Sequence, residues 1–317
     1  MQNRDNTMKK VLVVIPSIAR MVCLTVVANA RKTLKHHGYL PVFYLGIHGQ
    51  FLNADFQKTA AKQKEIHVVK YTGASGEGAG ILTAIKQGTA HEHPDLVLII
   101  TDDFELESKH LHKIAKAAEK SDLSIGIWDK YTEKTFPLPQ ALNEKATVSI
   151  LTYSNPQYKP KTLKPIKSLQ LPNKNAYQTY STLYGFSPAT WKKINRELNS
   201  FKQSKSALMQ AGIEVGIVLS ALKLNLRIKQ VTMPRRFEHS TPCTAQEQKN
   251  HRKSRATQFN DGLQVALEFL TNTGQKNKVP NVKKYAGKMK QKILTSRILA
   301  KGQKPRRSKT ESAMHLK

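Results

Sequence analysis

Asp95-Leu96-Val97-Leu98-Ile99-Ile100-Thr101-Asp102-Asp103-Phe104-Glu105 is the stretch on which the fold is decided. Five consecutive aliphatic residues suit a strand covered on both faces, the pattern of a central parallel strand. The run stops on acids. In an open α/β sheet the ligand crevice lies outside the carboxyl ends of the strands, so Thr101 to Glu105 is where chemistry is expected. If the strand continued, Asp103 and Glu105 would share one side and Asp102 would take the other. Adjacent carboxylates repel, and a divalent ion such as Mg²⁺ or Mn²⁺, which prefers oxygen ligands, relieves that repulsion while bridging to substrate phosphates. The competing structural role is an N-cap for a helix expected over 108–119.

Working outward from this strand, the order of elements is β-α-β. Val11-Leu12-Val13-Val14-Ile15 is a short apolar run ended by Pro16 and reads as a first buried strand. Lys9 and Lys10 ahead of it give a superficial signal-peptide look, which Pro16 and Arg20 interrupt. A helical period follows from about 20 to 37, with Gly38 as its stop. Strands are expected at Leu40 to Leu45, Ile66 to Tyr71 and Leu123 to Trp128, with a glycine-opened helix between Tyr71 and the central strand and an amphipathic helix through Leu111, Ile114, Ala115 and Ala118 after it. From about 129 to 180 six prolines break the pattern, so a long functional loop or insertion is expected there. Regularity returns at Leu183 to Phe186, a helix from Pro188, a helix over Ile213 to Leu224 and a strand from Leu226 to Met233. The expected class is therefore α/β, a mostly parallel Rossmann-like sheet flanked by helices.

The formal net charge of +30, from 52 Lys and Arg against 22 Asp and Glu, points to anionic partners: nucleic acid, an anionic membrane face or a phosphorylated substrate. The charge concentrates late. After residue 275 the chain carries 14 basic residues and one acid, Glu311, and from about 302 it has too few apolar residues to bury. Two cysteines, Cys23 and Cys243, lack the spacing of a zinc knuckle or redox pair and make no disulfide framework. No segment reaches the roughly 18 apolar residues of a membrane span.

Four constellations carry candidate chemistry. The strand-end acids are the first. The second is Gly76-Glu77-Gly78-Ala79-Gly80, where glycine admits close backbone approach and a helix N-terminus favours an anion. It matches neither a Walker loop nor the dinucleotide fingerprint, and a plain tight turn is the competing role. The third is Glu214, a general-base candidate near a helix start, where a capping role competes. The fourth is Arg235-Arg236-Phe237-Glu238-His239, with guanidiniums suited to a diphosphate and an imidazole suited to a metal; a solvated basic loop competes. The pairs His91/His93 and His110/His112 read as surface residues.

Taken in order, Val11 to Pro16, the glycine turn at 76–84, Asp95 to Asp103, the helix with Glu214 and the strand Leu226 to Pro234 resemble the inverting family 2 glycosyltransferases of GT-A fold, particularly the polyprenyl-phosphate sugar transferases. The resemblance spans roughly residues 10–240. It implies sugar transfer from a nucleotide-diphosphate donor, with a metal gripping the diphosphate and a carboxylate activating the acceptor. By position it implies Asp103, Glu105 and His239 as metal ligands and Glu214 as the base. Substrate contacts would come from Pro16, Ser17, Gly76, Gly78, Gly80, Asp102, Arg235 and Arg236. Three departures stand out. Ser17-Ile18-Ala19-Arg20 replaces a tyrosine-asparagine-glutamate stretch, Tyr44-Leu45-Gly46-Ile47 replaces Asp-Asp-Gly-Ser, and Thr101 replaces the first acid of Asp-x-Asp.

The expected organisation is a nucleotide-sugar-binding catalytic domain over 1–242, a helical extension over 243–275 and a basic, partly disordered tail over 276–317. The expected setting is cytoplasmic, peripheral to the inner face of a membrane, with the tail on anionic lipid. Against this leading expectation stand a nucleotidyltransferase, a catalytically inactive GT-A-like protein, and a nucleic-acid-binding protein whose affinity would fall steeply with salt.

Overall fold

A computed structural model describes residues 8–73, 76–128, 137–157, 162–167, 182–233 and 244–296. The chain starts with β1 (Lys9–Ser17), α1 (Val22–His36), β2 (Tyr39–His48), α2 (Ala54–Ala61) and β3 (Ile66–Tyr71). Next come α3 (Glu77–Glu92), β4 (Leu96–Ile99), α4 (Glu105–Ser108), α5 (Leu111–Ala118) and β5 (Leu123–Trp128). After these come α6 (Leu138–Ser154), β6 (Tyr184–Phe186), α7 (Pro188–Leu198), α8 (Lys205–Leu208), α9 (Gly212–Lys223) and β7 (Ile228–Met233). Two long helices close it, α10 (Ala245–Asn272) and α11 (Val279–Thr295).

The strands form one mixed, mostly parallel sheet in the order β3-β2-β1-β4-β6-β5-β7. Val13 pairs with Phe43 on one side and Leu98 on the other, both in parallel. β6 is antiparallel to both its neighbours, through Leu98↔Gly185 and Ser124↔Gly185. β1 leads outward to β2 and β3 on one flank, while the chain resumes at β4 on the other. The crevice at this reversal, outside the carboxyl ends of β1 and β4, is the expected ligand position of such a sheet.

Both faces are covered, which is why the central strands lack polar alternation. Leu12, Val14, Val97 and Ile99 enter one core with α3, α7 and α9, whereas Val11, Val13, Ile15, Leu96, Leu98 and Ile100 enter the other with α1 and α5. The expected strands at 66–71 and 123–128 match β3 and β5 in extent.

The irregularity expected across 129–180 is corrected over 138–154, which is the helix α6. Pro137 and Pro139 mark its start, where a missing N–H costs nothing. Gln140, Asn143, Glu144, Thr147 and Ser149 are buried on it beside Ala146, Val148 and Ile150, so no polar face existed to create a helical period. α10 and α11 pack on α6 and on each other. α10 opens with a full capping box, Thr244 with Glu247. α11 lies in the stretch expected to be a basic tail. It buries Val282, Ala286, Met289 and Ile293 and exposes Lys283, Lys284, Lys288, Lys290 and Lys292.

His112 is not a plain surface residue. Its ring stacks on His37 at 3.7 Å between α5 and the end of α1, and its Nδ1 lies 3.0 Å from the Thr33 hydroxyl. Desolvation, then His37 and the lysines at 116 and 113, depress its pKa from 6.5 to about 4. Between those values the unfolded chain binds a proton that the folded chain refuses, so stability falls as pH drops through the window. Replacing His112 with Asn is expected to flatten the pH dependence of the urea midpoint over that window. Equal slopes for the two proteins would contradict this.

Candidate active site

The crevice between β1 and β4 is organised by one buried carboxylate. Asp102, 3% exposed, accepts a hydrogen bond from Ser17 Oγ at 2.7 Å and a longer one from Ile18 N at 3.4 Å. The Arg20 guanidinium grips both of its oxygens, in the short contact of Nη2 with Oδ1 and through Nε at 3.4 Å from Oδ2. Ser17 Oγ in turn accepts from Ala19 N at 3.0 Å, and Ala19 is held at φ +60°. A non-glycine residue there is disfavoured, so the surrounding bonds determine the turn. Ser17 and Asp102, expected to meet substrate, bind each other and both line the cleft above them.

A cleft of about 200 Å³ opens over this unit, lined by Pro16, Ile18, Arg20, Tyr71, Glu77 and Thr101 among others. Drug-sized ligand sites begin near 300 Å³, so the cleft among the described residues is smaller than one. β5 and β7 end on the same edge of the sheet, at Trp128 and Met233, and the segments that follow them, 129–136 and 234–243, lie outside the described residues. Arg235, Arg236 and His239 are in the second of these.

Asp103 is half-buried; its Oδ1 accepts from Thr101 Oγ1 at 3.3 Å and its Oδ2 lies 3.9 Å from Arg20 Nη2. Glu105 opens α4 with an exposed side chain, and its carbonyl accepts from Asn29 Nδ2 at 3.2 Å. The continued-strand geometry expected for Asp103 and Glu105 is replaced by a turn, because β4 ends at Ile99 and α4 begins at Glu105. Among the described residues no group of three His, Cys, Asp or Glu is placed to hold a metal.

Glu214 does not line the cleft. It is 2% exposed on α9 and accepts the Thr182 hydroxyl proton in a short hydrogen bond. Desolvation, then Glu77, raises its pKa well above the carboxylate range. Glu77, the second residue of the glycine turn, lines the cleft, as does Asp102. Desolvation is the largest cause lifting its pKa to about 7, and the charges of Asp103 and Asp102 add to it; a hydrogen bond to Thr182 and the Arg255 charge act the other way. A lone acid among glycines gave no sequence signal, because its partners come from 105 and 137 residues away.

The glycines of the turn serve packing. A Cβ on Gly78 would lie 1.9 Å from the Leu208 carbonyl oxygen, and one on Gly76 would lie 2.2 Å from that of Met209. A Cβ on Gly80 would lie 3.1 Å from the Gly46 carbonyl oxygen and 3.4 Å from the Pro16 side chain. Only Gly76 also lines the cleft. The turn is thereby pressed onto the segment before α9, sealed by Ala79 N to Met209 O at 3.0 Å. Backbone cannot yield as a side chain can, so Gly78→Ala is expected to lower stability by about 2 kcal/mol or more. Gly287→Ala, where the added methyl meets nothing, should raise it by up to about 1 kcal/mol. Chemical denaturation of the two variants checks both; an unchanged Gly78→Ala would refute the packing role.

No protein-family model matches the sequence, and no curated protein matches it either. Among solved structures, mannosyl-3-phosphoglycerate synthase from Rubrobacter xylanophilus superimposes with a TM-score of 0.51 at 13% identity, over 84% of this chain and 75% of that one. Glucosyl-3-phosphoglycerate synthase from Mycobacterium tuberculosis gives 0.46 at 14% identity, covering 80% of each chain. The same synthase in complex with Mn²⁺ and UDP-glucose gives 0.42 at 14%, over 78% and 79%. At these identities the likeness is one of architecture: the chain has a GT-A-type fold.

Proposed function

We propose that this chain is a glycosyltransferase that moves a sugar from a nucleotide-diphosphate sugar to an acceptor that bears a phosphate or is held at a membrane. The observation that carries the reading is the meeting of Asp102, Asp103, Arg20 and Glu77 at the carboxyl ends of β1 and β4, the ligand position of this sheet.

A diphosphate entering this crevice meets carboxylates, so a cation has to accompany it. Arg20 is one: its guanidinium lines the cleft, 44% exposed, and holds the planar fork suited to phosphate oxygens. A divalent ion, Mg²⁺ or Mn²⁺, is the other. Asp103 and Glu105, which follow β4, would offer hard oxygen donors to such an ion, and His239 would add a nitrogen. Bound there, such an ion neutralises charge on the departing diphosphate. Arg235 and Arg236 follow β7 in sequence and are proposed to hold phosphate as well.

Residues 1–242 form the catalytic domain in this reading, with α10 as its extension and the basic C-terminal stretch as a docking element. The lysine face of α11 supports peripheral attachment to anionic lipid. No described helix is long and apolar enough to cross a membrane. The net charge of +30 also favours a nucleic-acid-binding reading, in which binding survives removal of the tail.

Melting curves against a panel of nucleotide-sugars, each with and without Mn²⁺, test the proposal. A ligand at a hundred times its Kd should stabilise the protein by about 2.7 kcal/mol. Asp103→Ala is expected to abolish the metal-dependent part of that shift. Identical calorimetric binding by this variant would remove the metal assignment, and a flat panel would remove the transferase.

A further inference from the structure

We propose that Phe51 and Tyr71 form a stacking slot for the nucleobase of the donor, and that the slot grips the faces of the base without reading its edge. This rests on the transferase reading above and deepens it: the donor is selected by its diphosphate and sugar, and the identity of its base counts for little.

The sheet brings the two rings together. His48 and Tyr71 end β2 and β3 as register partners, and after His48 the chain makes one tight turn, Gly49–Phe51. The His48 ring is fixed by its Nδ1, which accepts from Gln50 N at 3.3 Å. It stands against Phe51 and Tyr71 at interplanar angles of 62° and 76°, with centroids 6.0 and 5.4 Å away. Such steep ring contacts are the favourable ones. Tyr71 is pinned from its other end, where its hydroxyl donates to the Gly76 carbonyl at 3.1 Å. Phe51 and Tyr71 both line the cleft, with Pro16 and Ile18 beside them. Phe51 is 37% exposed and Ile18 51%, two of the six large apolar side chains left exposed among the described residues. Apolar groups left open in a concave site mark a ligand surface.

Size and charge identify the occupant. At about 200 Å³ the cleft suits a single ring system and not a whole nucleotide-sugar. Arg20 lines the same cleft; its Nε and Nη2 are on Asp102, and its Nη1 has no partner among the described residues. Rings beside a guanidinium with an N–H to spare match a base joined to a phosphate. Little of the polar lining is left to recognise the edge of that base. The Tyr71 hydroxyl is committed to Gly76, the Ser17 hydroxyl to Asp102, and Thr101 Oγ1 to Asp103. Glu77 is the lining group that could read an edge, and guanine is the base whose N–H groups it would favour. Stacking on aromatic rings, by contrast, tolerates every base, since each has a π-face.

Calorimetric titration of the full chain with UDP, CDP, dTDP, GDP and ADP, each with Mn²⁺, tests the slot. The five Kd values are expected within about tenfold of one another. Phe51→Ala should weaken all five about ten- to a hundredfold, and Phe51→Tyr should restore them. Proton spectra of UDP bound to the wild type supply a readout that needs no variant: ring currents should move the uracil H5 and H6 signals upfield. One diphosphate bound more than about a hundredfold tighter than the rest, GDP through Glu77 for example, overturns the slot, because a site that hydrogen-bonds its ligand's edge discriminates steeply. Unshifted base protons, or wild-type affinities in Phe51→Ala, overturn it as well. In each of these cases the diphosphates still bind and the transferase reading stands. A protein that binds none of the five overturns both.

Discussion

A single buried carboxylate organises this molecule's functional end. Asp102 sits at the end of the most apolar strand, almost wholly removed from water. Isolated there, an anion would be costly. The cost is met by the loop after β1, which supplies a hydroxyl, an amide and a guanidinium. That requirement fixes the path of Ser17 to Arg20, holds Ala19 in a left-handed conformation, and leaves Arg20 at the cleft wall. Where the family it resembles places tyrosine, asparagine and glutamate after the first strand, this chain has a hydroxyl and a cation, and they serve the strand end.

The opposite wall is built by exclusion of side chains. Gly76, Gly78 and Gly80 let α3 settle against backbone carbonyls at 208–209 and 46, and that contact carries Glu77 into the cleft. The same close approach brings up α9, where Glu214 accepts the Thr182 hydroxyl proton. Packing thus creates the electrostatics: two carboxyls that repel in water are confined together, and desolvation outweighs the hydrogen bonds that favour their charged forms.

Charge is therefore distributed in opposite senses. The exterior is strongly basic, with α11 presenting five exposed lysines over a buried apolar seam. Among the described residues that line the crevice, Asp102 and Glu77 are acidic and Arg20 is the cation. A basic exterior attracts phosphate-bearing molecules over distances of about a Debye length.

Much of the architecture was legible in the residues alone. Unbroken aliphatic runs at 11–15 and 96–100 can only be strands covered twice, and the alternation of strand and helix makes the sheet parallel. The strand-end acids stood out for the same local reason, since a polar residue after such a run marks the sheet's rim. Helix α6 did not, because burial on every side erases the period that sequence reading depends on. Nor did the roles of the acids. Asp102 and Asp103 are adjacent, yet Asp102 is buried and held by Ser17 and Arg20 while Asp103 is half-buried beside Thr101; Glu77 and Glu214 lie far apart in the chain, yet the charge of Glu77 acts on Glu214. Local pattern determines which segments form strands and helices, because that depends on period and propensity. Which carboxylate is buried, paired or left facing the cleft depends on distances between segments, and only the tertiary structure decides those.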